Sequence, residues 1–298
     1  MLSSPIFRLH LIVFLWGFTG ILGKLIDTSA SVLVFYRMLF ASAILFVYIR
    51  FFKKERLTVK KSNLWKLGVI GAFMGFHWLF FFQSIKVSNV SIALSCLSLS
   101  TLFAALLEPI IFKRKIDISE IIMGVVMVAS ILLIFNAEIQ YKEGIIYGIL
   151  SALCGTIFSV FNGKMSSKET PGSIIFYEIV FGWLLISLYY CFTGAISSVG
   201  EISTKNLALI LVLASVFTAY PMFESVKLMK YISPFTLILT VNLEPVYGII
   251  LAFFIFGGSE HMSPIFYGAS LVMIAAIIIN GILKSKKKAA AQNEIANE

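Results

Sequence analysis

Glu244 is the residue of this chain best placed to do chemistry. It lies about eleven residues from either end of an apolar block over 232–256. If that block crosses a bilayer, the carboxylate sits near the midplane, where an ionised side chain costs roughly 2.5 to 3.5 kcal/mol. On a helical wheel Thr236, Thr240, Glu244 and Tyr247 follow at +4, +4 and +3, with Asn242 in the same turn, a polar stripe expected to line a cavity. Pro245 frees the carbonyl of Val241 and predicts a kink beside the stripe. Two roles are open to Glu244: a cavity carboxylate that binds cationic groups or exchanges a proton, or a neutral acid hydrogen-bonded between helices. His77 falls near the middle of another apolar block, beside Trp78 and a run of phenylalanines. It is either a group titrating near neutral pH or a packing histidine with one hydrogen bond. Trp16, Trp183 and Tyr220 fall at comparable depth, where rings line substrate cavities or simply fill space.

Ser88, Ser91, Ser95 and Ser98 share one helical face at +3, +4 and +3; small hydroxylated residues let helices approach closely, or Ser98 touches substrate. Gly71 with Gly75, and Gly144 with Gly148, have GxxxG spacing and predict helix contacts. Arg37 and Glu178 lie a turn or two inside their blocks and are candidate gate or ion-pair residues. Lys24, Glu108, Asn162, Glu224 and Lys227 lie nearer the block ends and are read as anchors.

The elements that must position these residues follow from composition. The 298 residues are 59% hydrophobic and 13% charged, with mean hydropathy +0.95, too much apolar surface for a soluble core. The apolar residues come in blocks near the ~20 residues that span hydrocarbon as a helix. The net charge of +9 does not point to nucleic acid, because the basic residues gather at block ends with no aromatic platform between them. Cys96, Cys154 and Cys191 lack metal or disulfide spacing, and no cofactor is expected. The first block, from Arg8 to about Ile26, is longer than the ~7 to 15 residues of a signal-peptide core and is taken as a membrane helix.

Reading between polar punctuation predicts helices over 6–26, 31–52, 65–86, 88–112, 118–136, 143–163, 172–193, 205–227, 232–256 and 262–284. With the amino terminus inside, 19 of the 24 Lys and Arg fall in cytoplasmic segments and only Lys24, Lys86, Lys142 and Lys205 outside. That asymmetry predicts both termini in the cytoplasm and an even helix count. Five helices per half means that a duplicated second half is inserted upside down. A shift of 144 pairs Phe73 with Phe217, Lys86 with Lys230, Leu99 with Leu243 and Phe112 with Phe256. A shift of 136 instead pairs Leu107-Glu108-Pro109 with Leu243-Glu244-Pro245; the 144 shift is preferred because it also superposes the block ends and sets Ser100 opposite Glu244. The expected organisation is an all-α protein: a first repeat over 1–137, a second over 138–285, and a disordered cytoplasmic tail over 286–298.

Trp16-Gly17 with Lys24 downstream, Phe35-Tyr36-Arg37, and Tyr231-Ile232-Ser233-Pro234 followed by Leu243-Glu244-Pro245-Val246, together with the helix count and charge pattern, resemble the drug/metabolite transporter superfamily, specifically its EamA-type members. The resemblance spans nearly the whole chain. It departs where Glu178 stands opposite Arg37 and where the first repeat lacks a Glu-Pro matching Glu244.

The expected function is secondary transport of a small metabolite, an amino acid or related compound, by alternating access in a bacterial inner membrane, with Glu244 and His77 touching substrate or protons. No GxxxxGK[ST] phosphate loop is present to drive it with ATP. The expected partners are a small-molecule substrate and membrane lipids, the latter through Lys284 to Lys288 at anionic head groups. Two other classes remain in view. An intramembrane enzyme would need His77 clustered with a serine and a carboxylate, since no HExxH or GxSxG motif occurs; a non-transporting receptor would show a closed, dry bundle.

Overall fold

A computed structural model describes residues 4–195, 197–200, 202–276 and 278–279, and they form a helical bundle. Among the described residues nine helices are long and apolar enough to cross a membrane: α1 Pro5–Leu25, α2 Ala30–Phe52, α3 Lys61–Val87, α4 Val90–Phe112, α5 Ile118–Ala137, α6 Ile139–Met165, α7 Pro171–Thr193, α8 Thr204–Leu228 and α9 Pro234–Phe256. A tenth, α10, runs from Pro264 to at least Ala276. The predicted blocks therefore match the helices to within a few residues. The predicted tail over 286–298 lies outside the described residues. Polar punctuation starts the helices as its chemistry requires: the side chains of Asn89, Thr170, Ser203 and Ser233 accept from backbone N–H groups of the turns that follow them. Pro5, Pro171 and Pro234 occupy first helical turns, where a missing N–H costs nothing.

The outer surface is apolar, with Phe192 87% exposed and Phe254 and Ile110 nearly as bare. That belt is the face an integral membrane protein presents to hydrocarbon. Inside, glycines let backbones approach. A Cβ on Gly71 would fall on the carbonyl oxygen of Glu178 in α7, and Gly144 and Gly148 of α6 sit against Ser84 of α3, Ser88 just past its end and Cys96 of α4.

Two helices are broken at their middles. In α4 the segments Val90–Leu97 and Ser100–Phe112 meet at residues 98–99; in α9, Pro234–Val241 and Glu244–Phe256 meet at 242–243. Adding 144 to each boundary of α4 gives the boundary of α9, so the two breaks are one feature of a duplicated unit, at the register preferred from sequence. Pro245 accordingly lies in the first turn of a new segment rather than kinking a continuous helix. The halves are interlocked as well as related. The first helix of each packs chiefly into the other: α1 against α8 and α9, and α6 against α3 and α4.

Because Gly71 meets backbone, Gly71→Ala forces α3 and α7 apart. It is expected to destabilise the protein in detergent by about 1–3 kcal/mol. Gly68→Ala, whose methyl would meet only the Phe181 ring at 3.7 Å, should leave the unfolding midpoint unchanged or raised.

Candidate functional site

The broken helices cross at the centre of the bundle and are tied there. The Asn242 amide donates to the Thr101 hydroxyl, and the Ser100 hydroxyl lies 3.4 Å from the Asn242 carbonyl oxygen. Each break thus finds its partner in the matching break of the other repeat. Beside this junction lies a cavity of about 100 Å3 walled by α1, α2, α3, α4, α6, α8 and α9. Its wall runs from the level of the breaks toward the face on which the chain begins, through Ser159 and Asn162 of α6, Ser225 of α8 and Met229 just past its end, and Leu237 of α9.

The opposite face is fastened by polar contacts. Glu260, between α9 and α10, accepts from Lys24 Nζ at 2.8 Å, from the Ser91 hydroxyl at 2.7 Å, and from the Val90 and Ser91 backbone N–H groups at 3.1 and 3.0 Å. A carboxylate at the amino end of α4 is also favoured by the helix dipole. Asn206 adds a 2.7 Å bond to the carbonyl of Asp27. On the face where the chain begins, Arg8 pairs with Glu224 above an apolar cluster of Leu9, Ile12, Leu228 and Leu237.

Of the residues singled out from sequence, Glu244, His77, Trp16 and Arg37 line the cavity. Glu244 is 7% exposed and opens the second segment of α9, where the unpaired N–H groups of a helix start partly offset the cost of its charge. Arg37, 2% exposed, forms part of the wall rather than of the polar contacts at either face. Its Nε donates to Thr218 Oγ1 at 2.8 Å, and its guanidinium stacks over Trp78 with the ring centroid at 4.0 Å. Thr218 can receive it because α8 loosens into a π-turn over Ser215–Ala219, held by the Thr218 hydroxyl donating to the Leu213 carbonyl. One guanidinium nitrogen, Nη1, remains buried without an acceptor. Arg37 and Glu244 thus share one cavity without forming an ion pair.

His77 is also a clamp between α3 and α6. Its Nδ1 lies 2.9 Å from the Ser151 carbonyl, which can only accept, so Nδ1 carries the proton; the Ser151 hydroxyl in turn bonds the His77 carbonyl at 2.9 Å. A serine therefore does meet the histidine, but among the described residues no carboxylate is hydrogen-bonded to the ring, and no group of His, Cys, Asp or Glu is placed to hold a metal.

The remaining candidates lie elsewhere. Thr240 donates to the Thr236 carbonyl, while Leu237, Ile238 and Val241 face the cavity instead. The predicted stripe assumed a continuous α9, and the break resets its phase. Tyr247 packs on Phe14 and against Gly17 at the crossing of α1 and α9. Trp183 packs on Phe35 outside the cavity, Tyr220 is exposed toward lipid, and Ser98 is buried in the α4 break. Glu178 is buried against α3 and bonded by Asn162. Ser91 serves the Glu260 contact, whereas Ser88 packs on Gly144. The α6 wall was not anticipated. Ala152, Thr156, Ser159 and Asn162 recur at +4, +3 and +3, a stripe as regular as the one read in α9.

Residues 4–136 and 142–282 each match the EamA-like transporter family. The chain belongs to that family. Among relatives of this EamA transporter, the uncharacterized transporter YxxF of Bacillus subtilis (strain 168) is 22% identical over 256 residues, 84% of this chain and 81% of that one. The S-adenosylmethionine uptake transporter of Rickettsia prowazekii (strain Madrid E) is 25% identical over 268 residues, 87% and 85% of the two chains. A solved crystal structure superposes with TM-score 0.69 over 94% of this chain and 97% of its own at 13% identity, a likeness of fold. The two-repeat, ten-helix architecture read from the sequence is that of the family.

Asn242 joins the breaks of this EamA protein. Replacing it with alanine leaves the buried Thr101 hydroxyl without that donor and is expected to destabilise the protein by about 1–3 kcal/mol. Thermal unfolding in detergent measures it, and an unchanged midpoint would show that the breaks hold without the tie.

Proposed function

We propose that this EamA transporter carries a small zwitterionic metabolite, an amino acid or a compound bearing an amino-acid moiety, by alternating access. The observation behind this reading is that Arg37 and Glu244, groups of opposite charge type, line one cavity with no ion pair between them. Arg37, with an unengaged guanidinium nitrogen, suits a substrate carboxylate; Glu244 suits an ammonium or another cationic centre. Trp16, Trp78, Phe81 and Phe158 give the same cavity aromatic walls suited to an apolar or planar remainder. The Rickettsia relative is named for S-adenosylmethionine, which contains an amino-acid group and a cationic sulfur, and that name favours the same class.

In this reading the chain is a carrier rather than an enzyme, as its family and both relatives are named. The Lys and Arg distribution favours both termini in the cytoplasm of a bacterial inner membrane, so that the cavity lies on the cytoplasmic side of the breaks. The repeats are assigned to 1–137 and 138–285. Rocking of the two broken helices about the Asn242 junction, with release of the Glu260 fastening, would expose the cavity to the other side.

The reading is tested with purified protein in liposomes and labelled methionine, phenylalanine and S-adenosylmethionine, with succinate and putrescine as singly signed controls. Saturable flux of zwitterions is expected. Glu244→Gln should abolish it or raise KM, and Arg37→Lys, which keeps the charge but loses the planar fork, should lower kcat/KM about tenfold or more. Flux confined to succinate or to putrescine would sink the two-charge reading while leaving a carrier.

A further inference from the structure

Glu178 takes no part in the cavity wall or in the polar contacts at either face. It sits in α7 at 0% exposure with its backbone pressed against Gly71 of α3. Its carboxyl receives one hydrogen bond, from Asn162 Nδ2 to Oε2 at 3.0 Å, and Oε1 is buried with no donor. Asn162 is itself 1% exposed and lines the cavity, and its carbonyl oxygen Oδ1 is likewise buried with no donor. Two bonded side chains thus present two orphan acceptors where each should have a donor.

Among the described residues no cationic group is bonded to the carboxyl. From α2, Arg37 is engaged by Thr218 and Trp78. From α3, His77 is held by Ser151. From α8, Glu224 is paired with Arg8. On α6 the nearest ionisable neighbours in sequence are Cys154 and Lys164, the latter bonded to the Ile111 carbonyl; on α7 itself the Tyr177 hydroxyl donates to the Leu57 carbonyl. None of these forms a hydrogen bond or ion pair with Glu178. An ionised carboxylate there would be an isolated buried charge, whereas a carboxylic acid brings one O–H, the donor that the pair lacks.

We propose that Glu178 is a dissociable proton site set behind Asn162, and that it exchanges its proton with water that reaches it from the cavity past that residue. Loss of the proton to that water leaves a carboxylate held by Asn162 Nδ2; its return makes the orphan Oε1 an O–H donor, with Asn162 Oδ1 as the unmet acceptor. Asn162 touches both the acid and the cavity, so a solute bound there meets a different hydrogen-bond partner in each protonation state. The link to solute movement rests on the carrier reading above, but the proton site itself does not.

Infrared difference spectroscopy of the purified protein, titrated with pH, reads the site without any substrate. The expected result is a carboxylic C=O stretching band that bleaches as pH rises, is missing in Glu178→Gln and is displaced in Asn162→Ala, which keeps the acid if the first variant fails to fold. No such band at any pH would mean an ionised group, and a band that survives the whole titration would mean a locked structural acid; either overturns the proposal. In liposomes, Glu178→Gln should keep counterflow of labelled methionine and lose accumulation driven by a pH gradient. Undiminished accumulation overturns the coupling. If no solute moves even in the wild type, the carrier reading fails, and the band titration still decides the proton site.

Discussion

Hydrocarbon offers no hydrogen-bond partner, so every backbone N–H and C=O in the membrane must be satisfied within the protein. That constraint makes the chain helical and places its two helix breaks at the centre of the bundle. The breaks at 98–99 and 242–243 are tolerated because each faces the other, with Asn242, Thr101 and Ser100 supplying the bonds that water would supply elsewhere. The π-turn in α8 is tolerated on the same terms, since the Thr218 hydroxyl returns to the backbone carbonyl of Leu213. The cavity lies where these departures from regular helix gather, because only there does the backbone have polar company.

The same medium sorts the charges. Glu260 is fully served by a helix start and by Lys24, which makes it a fastening. Arg37 is served on one side by Thr218 and Trp78 and left open on the other. Glu178 has a single donor and an empty oxygen. The number of unmet hydrogen bonds, rather than depth alone, separates residues that hold the bundle together from residues free to meet a solute or a proton.

Most of the fold was legible in the sequence because the bilayer imposes a length on each element, and apolar block lengths are read directly from composition. The register of the duplication was legible too, since Leu99 with Leu243 and Phe112 with Phe256 mark matching places in α4 and α9. The site was legible residue by residue and not as a constellation. Glu244 and His77 stood out because a polar group in an apolar block needs a reason. Thr240 and Tyr247 were drawn in by a wheel that assumed an unbroken helix. Arg37 was placed nearer a membrane face because its sequence depth says nothing of Thr218, which is brought to it by a π-turn 181 residues away. Asn162 was passed over for its closeness to a block end, though the Thr156, Ser159 and Asn162 spacing carried the signal.

The exchange of first helices between the halves bears on what the chain can be made from. A five-helix half on its own would leave its first helix without its main partners and its broken fourth helix without a matching break. Such a half completes itself by pairing with an upside-down copy that lends its own first helix in return, which is a domain swap. The present protein is that swap closed by a covalent link between α5 and α6. Stoichiometry and relative orientation, which two separate copies would have to find anew at each encounter, are settled once as the chain is inserted, and the two copies are free to diverge. Ser100 and Glu244, the same position on either side of the junction, have done so.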